Sequence, residues 1–231
     1  NHTEYYCTKD DMLDLFDKLP QFFDEPFADS SSIPTILVSQ IAKKDVSVVL
    51  SADGGDEVFF GYSKYFALDN ISKNNLKKYK ILVNLFSSNN IAFFNKLLPK
   101  KYRQKNIKEK YIKFKNALDS KDNKEMFLNS SSVITNKDVR KLLKPICFKS
   151  FEETNFNWFD KLNREDIKSS MMLTDYRTFM LDDVLTKVDR STMSASIEGR
   201  EPLLDHRLSE FMAKISSDLK FKNKNGKHLL R

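Results

Sequence analysis

The hydrophobic residues of the first fifty positions predict two helices between two short strands. Residues 2–7 carry the aromatic and β-branched side chains typical of a strand. Thr8 and Asp11 lie three residues apart and predict the start of a helix with a near capping box. Residues 34–43 have helical spacing, and residues 46–51 form a continuous apolar run of the kind that a parallel sheet buries on both faces. This order of elements favours an α/β layer.

The second part of the chain changes in character and is predicted to be mostly helical. Residues 68–150 are rich in Lys and Asn, with interrupted apolar runs, and are predicted to form several short helices packed as an insertion. Residues 151–166 are rich in aromatic side chains that we expect to dock on the core. Residues 167–195 have the clearest helical spacing, with a break near Leu181 and Asp182.

The same spacing identifies the side chains expected to face the core. The first helix is predicted to bury Met12, Leu13, Leu15, Phe16 and Leu19, and the second Ile36, Leu37, Ile41 and Ala42. The stretch 171–193 carries an apolar stripe of Met172, Tyr176, Phe179, Met180, Val184, Leu185, Val188 and Met193. Asp205 is predicted to cap a helix over residues 206–215 that turns Leu208, Phe211 and Met212 inward, and a last helix is predicted to start at Lys227.

Composition narrows the class of protein. The net charge is +7, which a lysine-rich surface explains, and the lysines between residues 73 and 149 show no clear interleaving with aromatic residues, so nucleic-acid binding gains little support. Two cysteines, Cys7 and Cys147, are too few for a disulfide framework and too far apart in sequence for a zinc site. Because the sequence shows neither an apolar run long enough to span a membrane nor a signal-peptide pattern, we expect a reduced, cytoplasmic setting. We also expect both ends to be cut from a longer chain.

The stretch SADGGDE, residues 51–57, follows the second predicted strand and is the candidate site. In an open α/β sheet, ligands bind beyond the carboxyl ends of the strands. Glycines let backbone N–H groups approach phosphate oxygens, and carboxylates beside phosphates need a divalent cation such as Mg²⁺ between them. The stretch therefore indicates either a Mg²⁺–nucleotide edge or a tight turn with Asp56 and Glu57 at a helix N-terminus. Neither GxxxxGK(S/T) nor GxGxxG occurs in the chain.

A resemblance to a known family adds to these patterns. LSADGGDEVFFGYSKYF resembles the LSG(D/E)GxDExFGGY motif in the synthetase domain of the asparagine synthetase family. Three further stretches are similar to the same family in the same order: FFDEPFADSSSIPT (22–35), DVLTKVDRSTMSASIEGREPLLDHRLSEF (183–211) and NGKHLLR (225–231).

The resemblance implies an α/β fold: part of a parallel-sheet, adenine nucleotide α-hydrolase-like (ATP-pyrophosphatase) domain with a mostly helical C-terminal two thirds. In that family, an N-terminal glutaminase domain supplies ammonia from glutamine. The synthetase domain uses ATP and Mg²⁺ to adenylate a carboxylate, usually the side chain of aspartate, and ammonia then displaces AMP. The family's SGGxDS loop and glutaminase cysteine do not occur in this sequence, so the fragment alone is expected to be inactive.

The resemblance also implies the organisation and partners of the chain. Residues 1–67 are expected to be a partial nucleotide-binding region, 68–150 a helical insertion and 151–231 a helical lobe for substrate and ATP, all within one synthetase domain. The implied partners are aspartate or another small carboxylate, and ammonia from the glutaminase domain. A homodimer is allowed, and no nucleic-acid or membrane partner is expected. Two alternatives stay open: a relative that amidates or cyclises another carboxylate, and a non-catalytic binding module that keeps the fold.

The site residues that the resemblance implies centre on the candidate loop. Ser51 and Ala52 match the pair whose backbone lies against the adenylate, and Gly54 joins them as an ATP-binding residue. Asp53 matches the catalytic acid tied to acyl-adenylate formation, where the related β-lactam synthetases have Tyr. Asp56 matches a Mg²⁺ ligand. Ala52 stands where the family usually has Gly, so it would be strained if that position needs a positive φ.

Four other residues receive an expected role. Lys227 matches the lysine that neutralises charge at the α-phosphate and the departing pyrophosphate, so a catalytic and ATP-binding role is implied. Without that match, Lys227 would be interpreted as a surface lysine. Phe60 replaces the first Gly of the usual FGGY turn, so that turn is expected to be less tight. Glu57 is expected to cap the following helix. Cys7 is expected to be a core residue on the first strand.

The loop before the second helix admits two roles. Asp29, Ser30 and Ser31 match part of the family's carboxylate-substrate pocket, where hydroxyls and backbone N–H groups would hold an amino acid. Alternatively, the loop only starts the helix, with Ser32 as its N-cap.

Two neighbouring pairs of opposite charge complete the set. Asp189 with Arg190, and Arg200 with Glu201, are expected to form ion pairs that support helices beside the nucleotide site. Direct contact between Arg200 and the substrate is the alternative.

Overall fold

The computed structural model describes residues 2–74, 76–132, 136–147, 158–161, 166–222 and 226–231. The described chain is a mostly helical α/β protein with a small parallel sheet, which confirms the predicted class of fold. It divides into two compact units, one of residues 1–61 and 174–231 and one of residues 62–173.

Short helices follow one another along the chain and are interrupted by two strands. The first elements are α1 (Lys9–Phe16), α2 (Leu19–Phe22), α3 (Ser32–Ala42), β1 (Val48–Leu50) and α4 (Gly55–Phe59). Next come α5 (Ser63–Lys73), α6 (Lys80–Asn84), α7 (Ser88–Leu97), α8 (Ile107–Asp119), α9 (Asn123–Ser131), α10 (Asn136–Leu142) and α11 (Trp158–Lys161). The last are α12 (Ile167–Arg177), a π-helical turn (Met180–Leu185), α13 (Thr186–Ser194), β2 (Glu198–Arg200), α14 (His206–Lys214) and α15 (Ser217–Lys220). Short 3₁₀ turns cover Leu76–Tyr79, Lys100–Tyr102, Pro145–Cys147, Pro202–Leu204 and His228–Leu230.

The two strands pair in parallel, as predicted for the strand before the candidate loop. Leu50 lies opposite Arg200 in the ladder. The backbone pairing continues by one bond at each end: the Glu198 N–H donates to the Ser47 carbonyl, and the Ser51 N–H donates to the Arg200 carbonyl, both at 2.9 Å. The carboxyl ends of both strands therefore meet at one edge of the sheet.

The strand β1 is less buried than its apolar sequence predicts. Val48 and Leu50 are exposed, and Val49 between them is half-buried. Within the described residues β2 is the one strand that pairs with β1, so no neighbouring strand or helix layer covers both faces. The prediction of a strand buried on both faces is wrong for this part of the chain.

Two helices, α3 and α13, pack side by side in the first unit. They run in the same direction, because Lys187 near the start of α13 pairs with Asp29 just before α3. At the other end, the Lys43 ammonium donates to the Ser196 carbonyl at 2.6 Å. The core beside them consists of Leu15, Phe23, Ile33 and Ile36, with Leu19, Phe22, Phe27 and Leu37 packed against it.

A second core cluster in the first unit joins α4 to α14. Val58 and Phe59 of α4 pack with Met212 of α14. Leu203 and Leu204, from the 3₁₀ turn after β2, lie against the same cluster. This packing holds the helix that follows the candidate loop against the segment that follows the second strand.

The second unit consists of short helices, in keeping with the pattern of residues 68–150. The helix α8 packs against α7 and α9, and α5 packs against α9. Phe159 of α11 is buried, and its ring lies 5.7 Å from that of Phe127, so this aromatic residue docks on the core of its unit. Phe151 and Phe156, which belong to the same predicted docking segment, lie outside the described residues.

The N-terminal segment departs from its prediction. Residues 2–7 are irregular and exposed, and Cys7 is exposed rather than a core residue. A strand needs a neighbour for its backbone groups, and the described sheet consists of β1 and β2 alone. The capping box beside the segment is confirmed: the Asp11 N–H donates to Thr8 Oγ at 3.2 Å, and the Thr8 N–H donates to the Asp11 carboxylate at 2.8 Å.

Helical spacing predicted more burial than the structure has. The predicted inward residues that are in fact exposed are Met12, Leu13, Phe16, Phe179, Met193 and Phe211. Those confirmed as buried are Leu15, Ile36, Met172, Met180, Val184, Val188 and Met212. The predicted break near Leu181 and Asp182 is confirmed as the π-helical turn between α12 and α13. The predicted cap of α14 is also confirmed, since Asp205 accepts the Arg207 N–H at 2.9 Å.

Candidate active site

The loop after β1 is organised by a hydrogen-bonded pair, Ser51 and Asp53. The Asp53 N–H donates to Ser51 Oγ at 3.0 Å, and the Ser51 hydroxyl in turn donates to the Asp53 carboxylate. Since Ser51 is itself bonded to β2 through its backbone, the Asp53 carboxylate is fixed at the carboxyl edge of the sheet. An acid held there lies where ligands of α/β sheets bind.

Two glycines turn the chain from the strand into α4. Gly54 has a φ of 79°, and a Cβ atom at this position would lie 2.2 Å from a methyl carbon of Leu204. A Cβ at Gly55 would lie 2.8 Å from Leu203. The left-handed backbone and the nearby Leu204 side chain therefore both require glycine at position 54. Ala52 does not have a positive φ, so it is not strained in the way that a left-handed position would impose.

Lys227 and Asp56, far apart in sequence, meet at this loop. The Lys227 Nζ lies 3.0 Å from Asp56 Oδ1, and each side chain is about one third exposed. The Lys227 N–H donates to the Phe59 carbonyl at 3.0 Å, which ties the lysine to the end of α4. The structure thus brings together the cation and the acid for which the resemblance implies contacts with phosphate and Mg²⁺.

The contact between these segments depends on two further glycines. A Cβ at Gly61 would lie 1.7 Å from Asp56 Oδ1 and 2.5 Å from Lys227 Cε. A Cβ at Gly226 would lie 2.1 Å from the Phe60 carbonyl oxygen. A larger residue at Gly226 would push the Lys227 segment away from the loop, because the clash is with backbone. A larger residue at Gly61 would displace the Asp56 and Lys227 side chains.

Phe60 ends α4 in a left-handed conformation, with a φ of 63°. This conformation costs about 1 kcal/mol or more for a residue with a Cβ. The ring is buried and lies 5.3 Å from that of Phe221, so packing offsets the strain. The turn keeps its tight geometry despite the phenylalanine: the Gly61 N–H donates to the Asp56 carbonyl at 2.8 Å.

A third acid, Glu201, lies near Asp53. It is the first residue after β2, at the level where Ser51 follows β1. Burial raises the pKa of Glu201 above its usual value, and the charges of Asp53 and then Asp189 raise it further. The carboxyl edge of the sheet therefore carries a concentration of negative charge.

A second polar cluster lies where α3 and α13 begin. The Asp29 carboxylate accepts hydrogen bonds from the backbone and the hydroxyl of Ser31, each at 2.8 Å, and lies 3.4 Å from Lys187 Nζ. Burial acts to raise the pKa of Asp29, but the bonds from Ser31, the charge of Lys187 and a hydrogen bond with Asp183 together hold it below its usual value. Asp29 is the ionised member of the cluster.

Asp183, in the π-helical turn, is the other acid of this cluster. The pKa of Asp183 is raised to about 6. Burial is the main cause, followed by the charge of Asp29 and the hydrogen bond with Asp29, and the charge of Lys187 partly opposes the rise. Its Oδ1 atom is buried with no hydrogen-bond partner among the described residues. Below pH 6 the two acids share a proton, with Asp183 as the donor.

Several predicted contacts of the charged residues are wrong. Arg200 pairs with Glu198, at 2.7 Å, rather than with Glu201, and Arg190 pairs with Asp24 rather than with Asp189. Side chains two residues apart on a strand share a face, so Arg200 meets Glu198. Consecutive residues of a helix do not face each other, so Asp189 and Arg190 do not pair. The Arg200 side chain is exposed and bonded to Glu198, while its carbonyl accepts the Ser51 N–H.

The start of α3 also differs from the helix-cap alternative. Ser31, not Ser32, is the N-cap, and its side chain makes no capping bond. Ser32 is buried in the first turn. Ser30 is exposed beside the cluster. At α4, Glu57 lies in the first turn and is buried, with Gly54 as the N-cap residue.

The sequence patterns gave no role to Asp183 or Lys187, and Glu201 was expected only to pair with Arg200. Asp183 and Lys187 are four residues apart, so they share a face on a helix; this spacing was the available signal. Glu201 gave no comparable signal, because its position depends on β2, a strand of three residues.

No group of three or more His, Cys, Asp or Glu side chains is arranged to hold a metal ion in the described part of the chain. No helix within those residues is long and apolar enough to cross a membrane.

Comparisons with known proteins show the family to which the chain belongs. The asparagine synthase family matches residues 1–231. The chain is 27% identical over 226 residues to the glutamine-hydrolyzing asparagine synthetase 1 of Bacillus subtilis (strain 168), covering 96% of this chain and 33% of that protein. It is 25% identical over 238 residues to a putative glutamine-hydrolyzing asparagine synthetase of Mycobacterium bovis, covering 100% of this chain and 33% of that protein.

A shorter stretch is more similar to an archaeal relative. Over 61 residues the chain is 54% identical to the putative glutamine-hydrolyzing asparagine synthetase 2 of Methanocaldococcus jannaschii, covering 26% of this chain and 12% of that protein. No solved structure matches the chain significantly.

The described residues thus form a small parallel sheet with a carboxylate-rich loop at its edge. The chain belongs to the asparagine synthase family. It spans about a third of the length of the curated relatives that it matches over nearly its whole length.

Proposed function

We propose that this chain is part of an ATP-dependent, amide-forming ligase that activates a small carboxylate, with the side chain of aspartate as the substrate. The observation that carries the proposal is the convergence of Asp53, Asp56 and Lys227 at the carboxyl edge of the parallel strands. An acid, a metal-binding carboxylate and an ammonium group are the parts that carboxylate activation by ATP needs.

The first step is formation of an acyl-adenylate. A carboxylate oxygen of the substrate attacks the α-phosphorus of ATP, and pyrophosphate leaves with the electrons of the broken P–O bond. Lys227 stabilises the negative charge that grows on the phosphates, and Gly54 and Ala52 let the loop backbone approach them. Asp56 would hold Mg²⁺, which supplies charge neutralisation between the phosphates.

The pair of Lys227 and Asp56 fits these roles. Each group neutralises the other at 3.0 Å when no nucleotide is bound, and both remain accessible to solvent. When ATP binds, its phosphates would pair with Lys227, and a cation would bind Asp56. A site with one carboxylate from this chain is consistent with Mg²⁺, which binds through one or two carboxylates plus substrate phosphates.

The second cluster supports an amino acid as the carboxylate substrate. Asp29 and Asp183 supply negative charge for an ammonium group, and Lys187 supplies positive charge for a carboxylate. Ser31 holds Asp29 in place through two hydrogen bonds. A zwitterionic substrate such as aspartate complements both signs of charge, whereas a simple sugar acid has no ammonium group and would complement only Lys187.

The second step is amide formation. The nitrogen lone pair of ammonia attacks the acyl carbon, the bond to AMP breaks with its electrons on the phosphate oxygen, and the nitrogen loses a proton. We propose that the ammonia comes from glutamine at a glutaminase domain, as the names of the relatives suggest for those proteins. A homodimer stays part of this proposal.

A variant pair tests the proposal in the full-length protein. Lys227→Ala is expected to slow pyrophosphate release from ATP by about 100-fold or more, because one group that stabilises the transition state is removed. Lys222→Ala, at an exposed lysine nearby in sequence, is the control and should leave the rate unchanged. Equal rates for both variants and the unaltered protein would remove Lys227 from the mechanism.

Asp53→Asn gives a second, independent test. It keeps the size of the side chain, but it removes the negative charge that the Ser51 hydroxyl supports. Adenylate formation should fall, as followed by carboxylate-dependent exchange of labelled pyrophosphate into ATP. Normal exchange in this variant would contradict the catalytic role of Asp53.

A further inference from the structure

The positive charge of the chain is concentrated in one segment. Residues 76–118 hold twelve basic side chains and one acidic side chain, Glu109, which gives a net charge of +11. The rest of the chain has 27 basic and 31 acidic side chains, a net charge of −4. The excess of Lys and Arg therefore belongs to the second unit rather than to a uniformly basic surface.

The same segment exposes large apolar side chains. On and beside α6, Ile81 is 77% exposed and Leu85 is 73% exposed. On α7, Phe93 is 61% exposed and Leu97 is 66% exposed. The members of each pair are four residues apart, so they lie on one face of their helix. Pairs of large apolar side chains exposed on neighbouring turns of a helix mark candidate interaction sites.

The apolar side chains are displayed by a defined scaffold. Tyr111 of α8 donates its hydroxyl hydrogen to the Phe86 carbonyl at 2.9 Å, which fixes the turn between α6 and α7. The Gln104 N–H donates to the Asn95 side chain at 2.9 Å, and that side chain donates back to the Gln104 carbonyl at 3.0 Å. Both helices are thus held to the segment that leads into α8.

Exposed basic side chains lie next to these apolar residues in the sequence. Lys96, one residue before Leu97, is exposed, and so are Lys100 and Lys101 in the turn that follows α7. We call the set of Ile81, Leu85, Phe93, Leu97, Lys96 and Lys100 the basic apolar face. Apolar side chains with lysines at their margin are typical of helices that lie in the interface of a membrane.

We propose that the basic apolar face docks this protein on the surface of an anionic lipid bilayer. Lysines are attracted to the negative headgroups, and the apolar side chains enter the boundary of the acyl chains. The most exposed members, Ile81 and Leu85, are aliphatic, and aliphatic chains insert into lipid but do not stack on nucleobases. The observations therefore favour lipid over nucleic acid.

This proposal departs from the expectation of no membrane partner. Docking at the surface requires no spanning helix, so it is compatible with the lack of one among the described residues. It does not depend on the proposed ligase activity, because none of the site residues belongs to residues 76–118.

Vesicle flotation with full-length protein tests the proposal. The protein should float with vesicles that contain phosphatidylglycerol, and not with vesicles of phosphatidylcholine alone. Binding should weaken at about 0.5 M salt, since screening shortens the reach of the lysines. The double variant Lys96→Glu, Lys100→Glu should bind at least about 30-fold more weakly. Lys9→Glu with Lys44→Glu is the control with the same change of charge elsewhere.

The apolar part of the face has a closely matched control. Phe93→Ser with Leu97→Ser removes two side chains that are 61% and 66% exposed, and should weaken flotation. Phe16→Ser with Leu13→Ser removes two that are 61% and 67% exposed on the acidic helix α1, and should not. Circular dichroism melting curves establish that each variant is folded.

Three outcomes would overturn the proposal. One is equal flotation with neutral and anionic vesicles. Another is tight binding to a single-stranded oligonucleotide, lost in the same variants, without vesicle binding. The third is strong protection of α6 and α7 from hydrogen exchange in lipid-free protein, which would mean that another part of the protein covers the face.

Discussion

Replacing Asp183 by asparagine, Asp183→Asn, should make the protein more stable at neutral pH and not in acid. Asp183 is an acid whose pKa is raised to about 6, beside the ionised Asp29. Above pH 6 the folded protein holds two neighbouring negative charges, with Lys187 as the cation beside them. The amide of the variant would keep a hydrogen-bond donor toward Asp29 and would remove one of those charges.

The magnitude follows from the shift in pKa. A change from the ordinary value of 3.8 to about 6 corresponds to about 3 kcal/mol between the folded and unfolded states. Because Asp183 is only half-buried, solvent screening reduces the expected gain to about 1 kcal/mol. The folded state holds the proton between about pH 4 and pH 6, so wild-type stability falls as pH rises through this window. The advantage of the asparagine variant should therefore appear across the same window.

Urea unfolding at about pH 4.5 and about pH 7.5 measures the effect. The free energy of unfolding of the variant should exceed that of wild type by about 1 kcal/mol at the higher pH and by much less at the lower pH. Asp182→Asn, at the exposed neighbour on the same turn, is the control and should change stability by less than about 0.5 kcal/mol at either pH. A variant that is less stable than wild type at the higher pH, or equally shifted at both pH values, would refute the shared proton.

Three other substitutions follow from the packing of the site. Gly61→Ala should separate Lys227 from Asp56, because the added Cβ would lie 1.7 Å from the Asp56 carboxylate. Pyrophosphate release by the full-length protein should fall, while thermal unfolding stays cooperative. Unchanged release would contradict this prediction. Phe60→Gly should relieve the backbone strain of the left-handed conformation. It should nevertheless lower the free energy of unfolding in urea by about 2–4 kcal/mol, because the buried ring is lost. A variant more stable than wild type would contradict this prediction. Thr8→Ala should cost about 1 kcal/mol in the same assay, and no loss would mean that the capping box contributes nothing.

Signals that act over a few residues predicted local structure well. The caps at Thr8 and Asp205 are present because a side-chain oxygen reaches an N–H two or three residues away, whatever the rest of the chain does. The break predicted at Leu181 and Asp182 is also present, as a π-helical turn.

Burial could not be predicted to the same degree. The spacing of apolar residues identifies the face of a helix, but it does not supply the neighbour that covers it. Leu15 of α1 is buried against α3, while Phe16, the next apolar residue of α1, is exposed. The strand β1 is apolar and exposed for the same reason.

The candidate site divides in the same way. Ser51, Asp53 and Asp56 belong to one short loop, so a local pattern indicated the loop, while the role expected of each residue came from the resemblance. Lys227 was found only through resemblance, because the spacing of one lysine among others has no meaning without the fold. The cluster of Asp29 and Asp183 depends on the parallel packing of α3 and α13, a contact between distant segments that periodicity cannot predict.

The most direct test of the central claim is pyrophosphate release by the full-length protein, supplied with ATP, Mg²⁺ and ammonia, with aspartate present and absent. The account predicts release that depends on aspartate and yields asparagine and AMP in equal amounts. No aspartate-dependent release, from protein shown to be folded, would contradict the proposal that this site activates the side chain of aspartate.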